Sequence, residues 1–222
     1  MADRLPPRVR LALTVCLGCV VGVLLVVILT GPRPPATASL NLVGGFAGFQ
    51  RPAQIPPDDF SLRDESGHVV RLSDYAGRVV ILSFLYSTCR DTCPIIAQVI
   101  RGALDQLGRP VPALAVSVDP SADTPLNVRR FLFRQSVTGR LHFLRGSRRE
   151  LEPVWRGYFV APQTPGRGSR SDHSVDVVLI DKTGRQREGF PSDALTPEAL
   201  AHDVRRLEAE PLPAHPRPRV NL

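Results

Sequence analysis

Hydrophobic and polar positions divide the chain into an uncharged start, a patternless stretch, a patterned middle and a polar end. Residues 11–30 carry no charge and are dominated by Val and Leu. A run of about 20 apolar residues is long enough to cross a bilayer core as a helix. Residues 31–57 follow neither period and are rich in Pro, Gly and Ala, the composition of a tether, with local order expected near Phe46 and Phe49. Short alternating runs at 60–64 and 69–72 flank Glu65-Ser66-Gly67, which predicts a hairpin. Residues 79–85 are almost continuously apolar, the pattern of a strand buried on both faces. Ile96, Val99, Ile100, Ala103, Leu104 and Leu107 recur at helical spacing, and Gly108 ends that helix. A second buried strand is predicted at 113–118. Asp123-Thr124-Pro125 opens the next helix with a capping side chain and a first-turn proline. A short strand follows at 141–144, and Ser147-Arg148-Arg149-Glu150 fits a capping box for a helix to about Tyr158. Residues 174–180 read as a strand, Lys182-Thr183-Gly184 as a turn toward a last short strand, and Thr196-Pro197-Glu198 as the start of a final helix through Leu207. The Pro-rich residues 210–222 read as a disordered tail.

This order predicts an α/β domain over 58–209. The first buried strand reaches the second by a right-handed crossover through the helix that begins at Cys93. Cys89 and Cys93 therefore stand where a strand's C-terminal end enters a helix, the edge on which open α/β sheets build their sites.

Charge changes the picture little for the domain and more for the leading segment. The formal net charge is +7 and Lys182 is the only lysine. The arginines are scattered in ones and twos, as at Arg129-Arg130, Arg148-Arg149 and Arg205-Arg206, without a basic run or interleaved aromatics. That pattern reads as a solvated basic surface and excludes a nucleic-acid partner. Arg4, Arg8 and Arg10 precede the apolar run, and no basic residue follows it until Arg33. The positive-inside rule then places the N-terminus in the cytoplasm and the domain on the extracytoplasmic, periplasmic side, joined to the membrane by a single helix within residues 1–30. A cleaved signal peptide is the competing reading, with Ala36-Thr37-Ala38 as its site. Both deliver the domain beyond the membrane.

Four cysteines fall in two places, which excludes a disulfide framework spread through the domain. Cys16 and Cys19 lie in the apolar run and read as small hydrophobes. Cys89 and Cys93, four residues apart at a helix entrance, can form a redox disulfide, grip one metal ion or simply pack. The partial positive charge of a helix N-terminus favours thiolate, which is both nucleophile and metal ligand. Two thiolates are few for a metal, so a third ligand is sought among five histidines. His68 sits in the hairpin, His142 in a strand, His202 in the last helix and His215 in the tail. His173 stands at the mouth of a buried strand after a long Gly/Pro loop, where loop residues carry function. Two thiolates and an imidazole suit copper, with zinc as a rival.

The motifs Tyr86-x-x-Cys89-x-x-x-Cys93-Pro94, Val118-Asp119-Pro120-x-x-Asp123-Thr124-Pro125, and Asp172-His173-Ser174 before Val178-Leu179-Ile180-Asp181-x-x-Gly184 occur in that order. Over residues 60–207 the chain resembles the Sco/SenC family of thioredoxin-like copper proteins. The resemblance implies a thioredoxin-like fold with an N-terminal transmembrane helix. It also implies one copper ion held by Cys89, Cys93 and His173, with Cys89 and Cys93 as a redox-active disulfide when oxidised. The role it implies is help in building the dinuclear CuA site of cytochrome c oxidase, as copper donor, thiol reductant or both. The partner would be the oxidase's copper subunit or another copper protein. Two positions depart from the family pattern. Arg90 follows the first cysteine where many members have proline, and Arg170-Ser171 stands where a tyrosine is usual. A cation beside Cys89 favours its thiolate. The rival function is a membrane-anchored thiol-disulfide oxidoreductase using Cys89 and Cys93 alone. A peroxidase would need a peroxide-activating environment that the sequence does not display.

Overall fold

Residues 6–30, 42, 44–55, 59–162 and 177–212 are described by the computed structural model. The chain divides into two units, Met1–Ser39 and Leu40–Leu222. The first holds helix α1, Pro7–Thr30. The expectation of a transmembrane helix is met only as far as a helix. Among the described residues no helix is long and apolar enough to cross a membrane.

The second unit is built on a six-stranded sheet in the order β1-β8-β7-β4-β5-β6. Its strands are β1 Phe49–Gln50, β4 Val80–Leu85, β5 Ala113–Ser117, β6 His142–Leu144, β7 Val177–Ile180 and β8 Gln186–Phe190. A separate hairpin pairs β2 Ser61–Arg63 with β3 Val69–Arg71. β4, β5 and β6 run parallel, and β7 turns the sheet antiparallel against both β4 and β8. The helices are α2 Thr92–Leu107, α3 Pro125–Arg134, α4 Arg148–Tyr158 and α5 Pro197–Ala209. The α/β expectation stands.

Local signals place most of these ends. Gly108 closes α2 at φ 65°, in the left-handed region that glycine enters without steric cost. Ser147 and Glu150 exchange hydrogen bonds as a capping box on α4. Thr196 accepts from the Ala199 N–H at the start of α5. At α3 the cap is Thr124, accepting from the Asn127 N–H, which leaves the Asp123 side chain for another task.

β4, β5 and β7 are buried at every position because helices cover both sheet faces. On one face, side chains of α2, α3 and α5 share a core with Ile81, Leu85, Ala113, Ala115, Val177 and Leu179. On the other, α4 and the hairpin cover Leu82, Phe84, Leu114, Val116 and Val178. Each large aliphatic side chain buried this way contributes about 1.5–3 kcal/mol.

The stretch expected as tether enters the fold before residue 58. Phe46 is buried in the α5-side core, Phe49–Gln50 pair with β8, and the Asp203 carboxylate of α5 accepts from the Ala47 and Gly48 N–H groups. β1 crosses so closely over Gly189 that a Cβ there would lie 2.5 Å from the Phe49 ring. Opposite Gln50 in this pairing lies Glu188, fully buried. Among the described residues neither of its carboxylate oxygens has a hydrogen-bond partner. Burial, then the neighbouring Asp203 charge, pushes its pKa up to about 7.

Candidate metal centre

β4 ends at Leu85, and the chain then makes a tight loop into α2. The Cys89 N–H donates to the Tyr86 carbonyl at 3.2 Å, turning the loop back on itself. A helix begins with N–H groups that lack intrahelical acceptors. At α2 the usual device is missing, because Asp91 at the cap makes no side-chain bond to the helix. Pro94 in the first turn has no N–H to satisfy. The Cys93 N–H donates instead to Cys89 Sγ at 3.4 Å, so the sulfur caps the helix.

Both cysteines are free thiols and both are buried, at 8% and 6% exposure. A hydrogen bond from the Cys93 side chain is the main cause that lowers the Cys89 pKa, to about 5. The N–H groups of Cys93 and Asp91 and the Tyr86 side chain add to it, against burial. Cys93 moves the other way, raised by its bond to Cys89 and then by burial. The two shifts run in opposite directions, favouring thiolate at Cys89 and thiol at Cys93, with the Cys93 side chain donating to Cys89. A Cys89 thiolate is a soft, anionic donor with a second sulfur beside it, and both attack of a disulfide and capture of a thiophilic metal ion need such a group.

Asp123 supports this loop from below. It is 3% exposed. Its carboxylate accepts from the Ser87 N–H and Oγ, both at 2.6 Å, and from Ser117 Oγ at 2.5 Å. Ser117 closes β5, and its carbonyl accepts from Trp155 Nε1 at 2.9 Å. Burial raises the Asp123 pKa, and its charge is one cause holding Cys93 as a thiol. The ends of the parallel pair β4 and β5 are thereby tied to one loop.

Cys89 and Cys93 thus come together at the expected sheet edge. His173, with Asp172 and Ser174, lies outside the described residues, as does His215. Cys16 and Cys19 are exposed positions of α1. Sequence reasoning quoted Tyr86 and Asp123 within motifs without giving either its role here, and it did not single out Ser87. The signal for Asp123 was present but ambiguous, since an aspartate before Thr-Pro also reads as a helix cap.

Among the described residues one other set brings potential ligand atoms within 4.8 Å of one another: Asp64, Glu65 and His142. Its bonds are already filled by the protein. Glu65 accepts from the Phe143 N–H at 3.0 Å and lies 3.2 Å from His142 Nδ1. Asp64 accepts from the Ser66 and His68 N–H groups. The Glu65 bond raises the His142 pKa. This set pins the β2–β3 turn to β6.

A model of the SCO1/SenC family matches residues 50–209. The chain belongs to the SCO1/SenC family. A bovine relative, the mitochondrial Protein SCO2 homolog, is 32% identical over 165 residues, covering 70% of this chain and 61% of its own length. The chain spans about three-fifths of the length of curated SCO relatives from cattle, fission yeast and mouse. Among solved structures, Bradyrhizobium japonicum ScoI with copper bound is 30% identical with a TM-score of 0.55, covering 68% of this SCO1/SenC chain and 98% of that one. BsSco, described as a member of the Sco family of cytochrome c oxidase assembly proteins with a disulfide switch, aligns at a TM-score of 0.61 over 73% of this chain and 98% of its own. At 20% identity it shows the thioredoxin-like Sco fold alone.

Proposed function

We propose that this SCO1/SenC protein is a copper metallochaperone that carries one copper ion on Cys89, Cys93 and His173 and supports assembly of the CuA site of cytochrome c oxidase. The observation that carries the reading is the position of the Cys89 sulfur, which accepts the Cys93 N–H at the α2 N-terminus and so stands beside the second cysteine. Copper is cargo here, so its site should have few ligands. The copper-bound Bradyrhizobium relative supports copper as the ion. Purified full-length protein with reduced thiols should bind one copper ion per chain. His173→Ala should weaken that binding strongly, whereas His142→Ala should leave it unchanged, since His142 is engaged by Glu65.

The same cysteine pair also favours a second reading, a thiol-disulfide reductase acting on partner cysteines, because dithiol exchange starts from thiolate attack. The imidazole separates the two. His173→Ala should keep a reducible Cys89–Cys93 disulfide yet fail to restore oxidase activity in cells lacking the protein. Full restoration at low copper would replace the donor by the reductase.

The chain is proposed to be held to the membrane by residues 11–30, with the domain on the extracytoplasmic side. Support comes from the uncharged run, the arginines on its leading flank and the helical backbone of α1. Reporter enzymes fused after Pro57 should be active outside the cytoplasm and silent within it. Cytoplasmic activity would refute the placement.

A further inference from the structure

The outward face of α3 combines two features that a solvated surface does not require. Leu126 and Phe133, seven positions apart and so on one side of the helix, are 57% and 78% exposed. Arg129, Arg130 and Arg134 are exposed on the same outer surface, because Val128, Phe131 and Leu132 turn inward to the core. The helix contains no acidic residue. Among the described residues none of these three arginines is in an ion pair, whereas Arg109, Arg140 and Arg187 are.

The face is tied to the cysteine loop at one end and to the cysteine-bearing helix α2 at the other. Before its first turn, Asp123 holds Ser87 of the cysteine loop. At its C-terminal end, the Gln98 side chain of α2 donates to the Gln135 carbonyl at 2.9 Å and to its side chain at 3.0 Å. One turn before Gln98, Ile95 stands 62% exposed, two residues after Cys93. Exposed Phe, Leu and Ile among unpaired arginines have the make-up of a protein interface, where aromatic and arginine side chains dominate and charge guides approach.

We propose that the outer face of α3, with Ile95, is the docking surface for the copper-accepting protein, and that the accepting face is acidic with an apolar centre. This rests on the copper-donor reading of the cysteine pair. The attachment of α3 to the cysteine loop gives the arrangement its purpose: a partner seated on α3 has its own site beside Cys89. A bilayer of acidic lipid would also attract arginines, but it gives no reason for the face to be tied to the cysteine loop at one end and to the cysteine-bearing helix at the other.

The test uses the full chain in nanodiscs of neutral lipid and, as probe, the soluble copper-bearing domain of the oxidase subunit from the same organism. Arg129→Glu with Arg130→Glu is compared with Arg149→Glu with Arg156→Glu, an equal charge change on α4 across the sheet. The α3 pair should retain its copper yet associate roughly 10–100-fold more slowly, with most of the salt dependence gone. Phe133→Ser should speed dissociation. The α4 pair should behave as wild type. Equal losses in both pairs, unchanged association in the α3 pair, or no binding by wild type would overturn the proposal. Wild-type binding without copper transfer would keep the docking face and remove the donor reading instead. Protection of α3 amides from hydrogen exchange by phosphatidylglycerol nanodiscs, with no response to the subunit, would assign the face to lipid and overturn it too.

Discussion

Cys89→Ser should weaken copper binding strongly while leaving the domain folded. Serine is a good helix cap and can accept the Cys93 N–H in place of sulfur. It does not ionise near neutral pH and offers no soft donor. Losing the anionic ligand should weaken copper by about three orders of magnitude or more, roughly 4 kcal/mol at 1.4 kcal/mol per decade. Competition against a copper(I) chelator measures it, and circular dichroism checks the fold. A Cys89→Ser protein that still held copper at wild-type affinity would remove the cysteine pair as the binding site. Cys93→Ala provides the companion result. Its side chain is the first cause of the low Cys89 pKa of about 5, so alanine should move the pH midpoint of Cys89 alkylation upward toward the ordinary thiol range. A midpoint that stayed near 5 would mean that the helix N-terminus and backbone donors suffice without the neighbouring thiol.

Asp123→Ala should cost about 4 kcal/mol of folding stability, among the largest losses from a single side chain outside the apolar core. The substitution removes one acceptor and strands three donors: the Ser87 N–H, Ser87 Oγ and Ser117 Oγ. Buried donors without partners cost about 1–3 kcal/mol each, partly recovered by water entering the gap. At about 2–4 °C per kcal/mol for a domain of this class, the melting temperature should fall by roughly 10 °C. Copper should also leave faster, because Ser87 lies two residues before Cys89. Asp123→Asn keeps an acceptor oxygen and should recover part of both losses. If Asp123→Ala melts within a degree or two of wild type, the carboxylate is not the anchor of the cysteine loop.

The cysteine pair could be placed from the sequence because its position depends on local facts. An all-apolar run must be a buried strand, the next periodic segment must be a helix, and the cysteines lie between them. Gly108, Ser147 with Glu150, and Thr196 fix helix ends through bonds spanning a few residues, so they are equally visible in the chain. Features set by distant partners could not be read in this way. β1 is two residues long in a Pro- and Gly-rich stretch and exists through β8, about 140 residues away, so no alternation announces it. The antiparallel direction of β7 against β4 has no signature in either strand, both of which are apolar apart from Ser83. Asp123 carries a helix-start signature, yet its carboxylate is drawn to Ser87 and Ser117 by tertiary packing. Ile95, Leu126 and Phe133 are exposed on two helices that the Gln98–Gln135 bonds tie together, a link between distant residues that no local pattern announces.

The treatment of the sheet's two margins has a consequence for how the protein behaves when crowded. On one margin the edge strand β1, paired with β8, is only two residues long, and Pro52 follows it. On the other, the outward N–H groups of Phe143 and Arg145 are taken by Glu65 and by the Arg63 carbonyl. A free strand edge recruits a second copy of the same chain, and a proline or a bound carboxylate blocks that recruitment. Neither margin offers a continuous ladder to a neighbour, so high local concentration should not drive the domain into stacked, strand-paired aggregates. Contacts between copies would then have to form through side-chain surfaces, which can separate again.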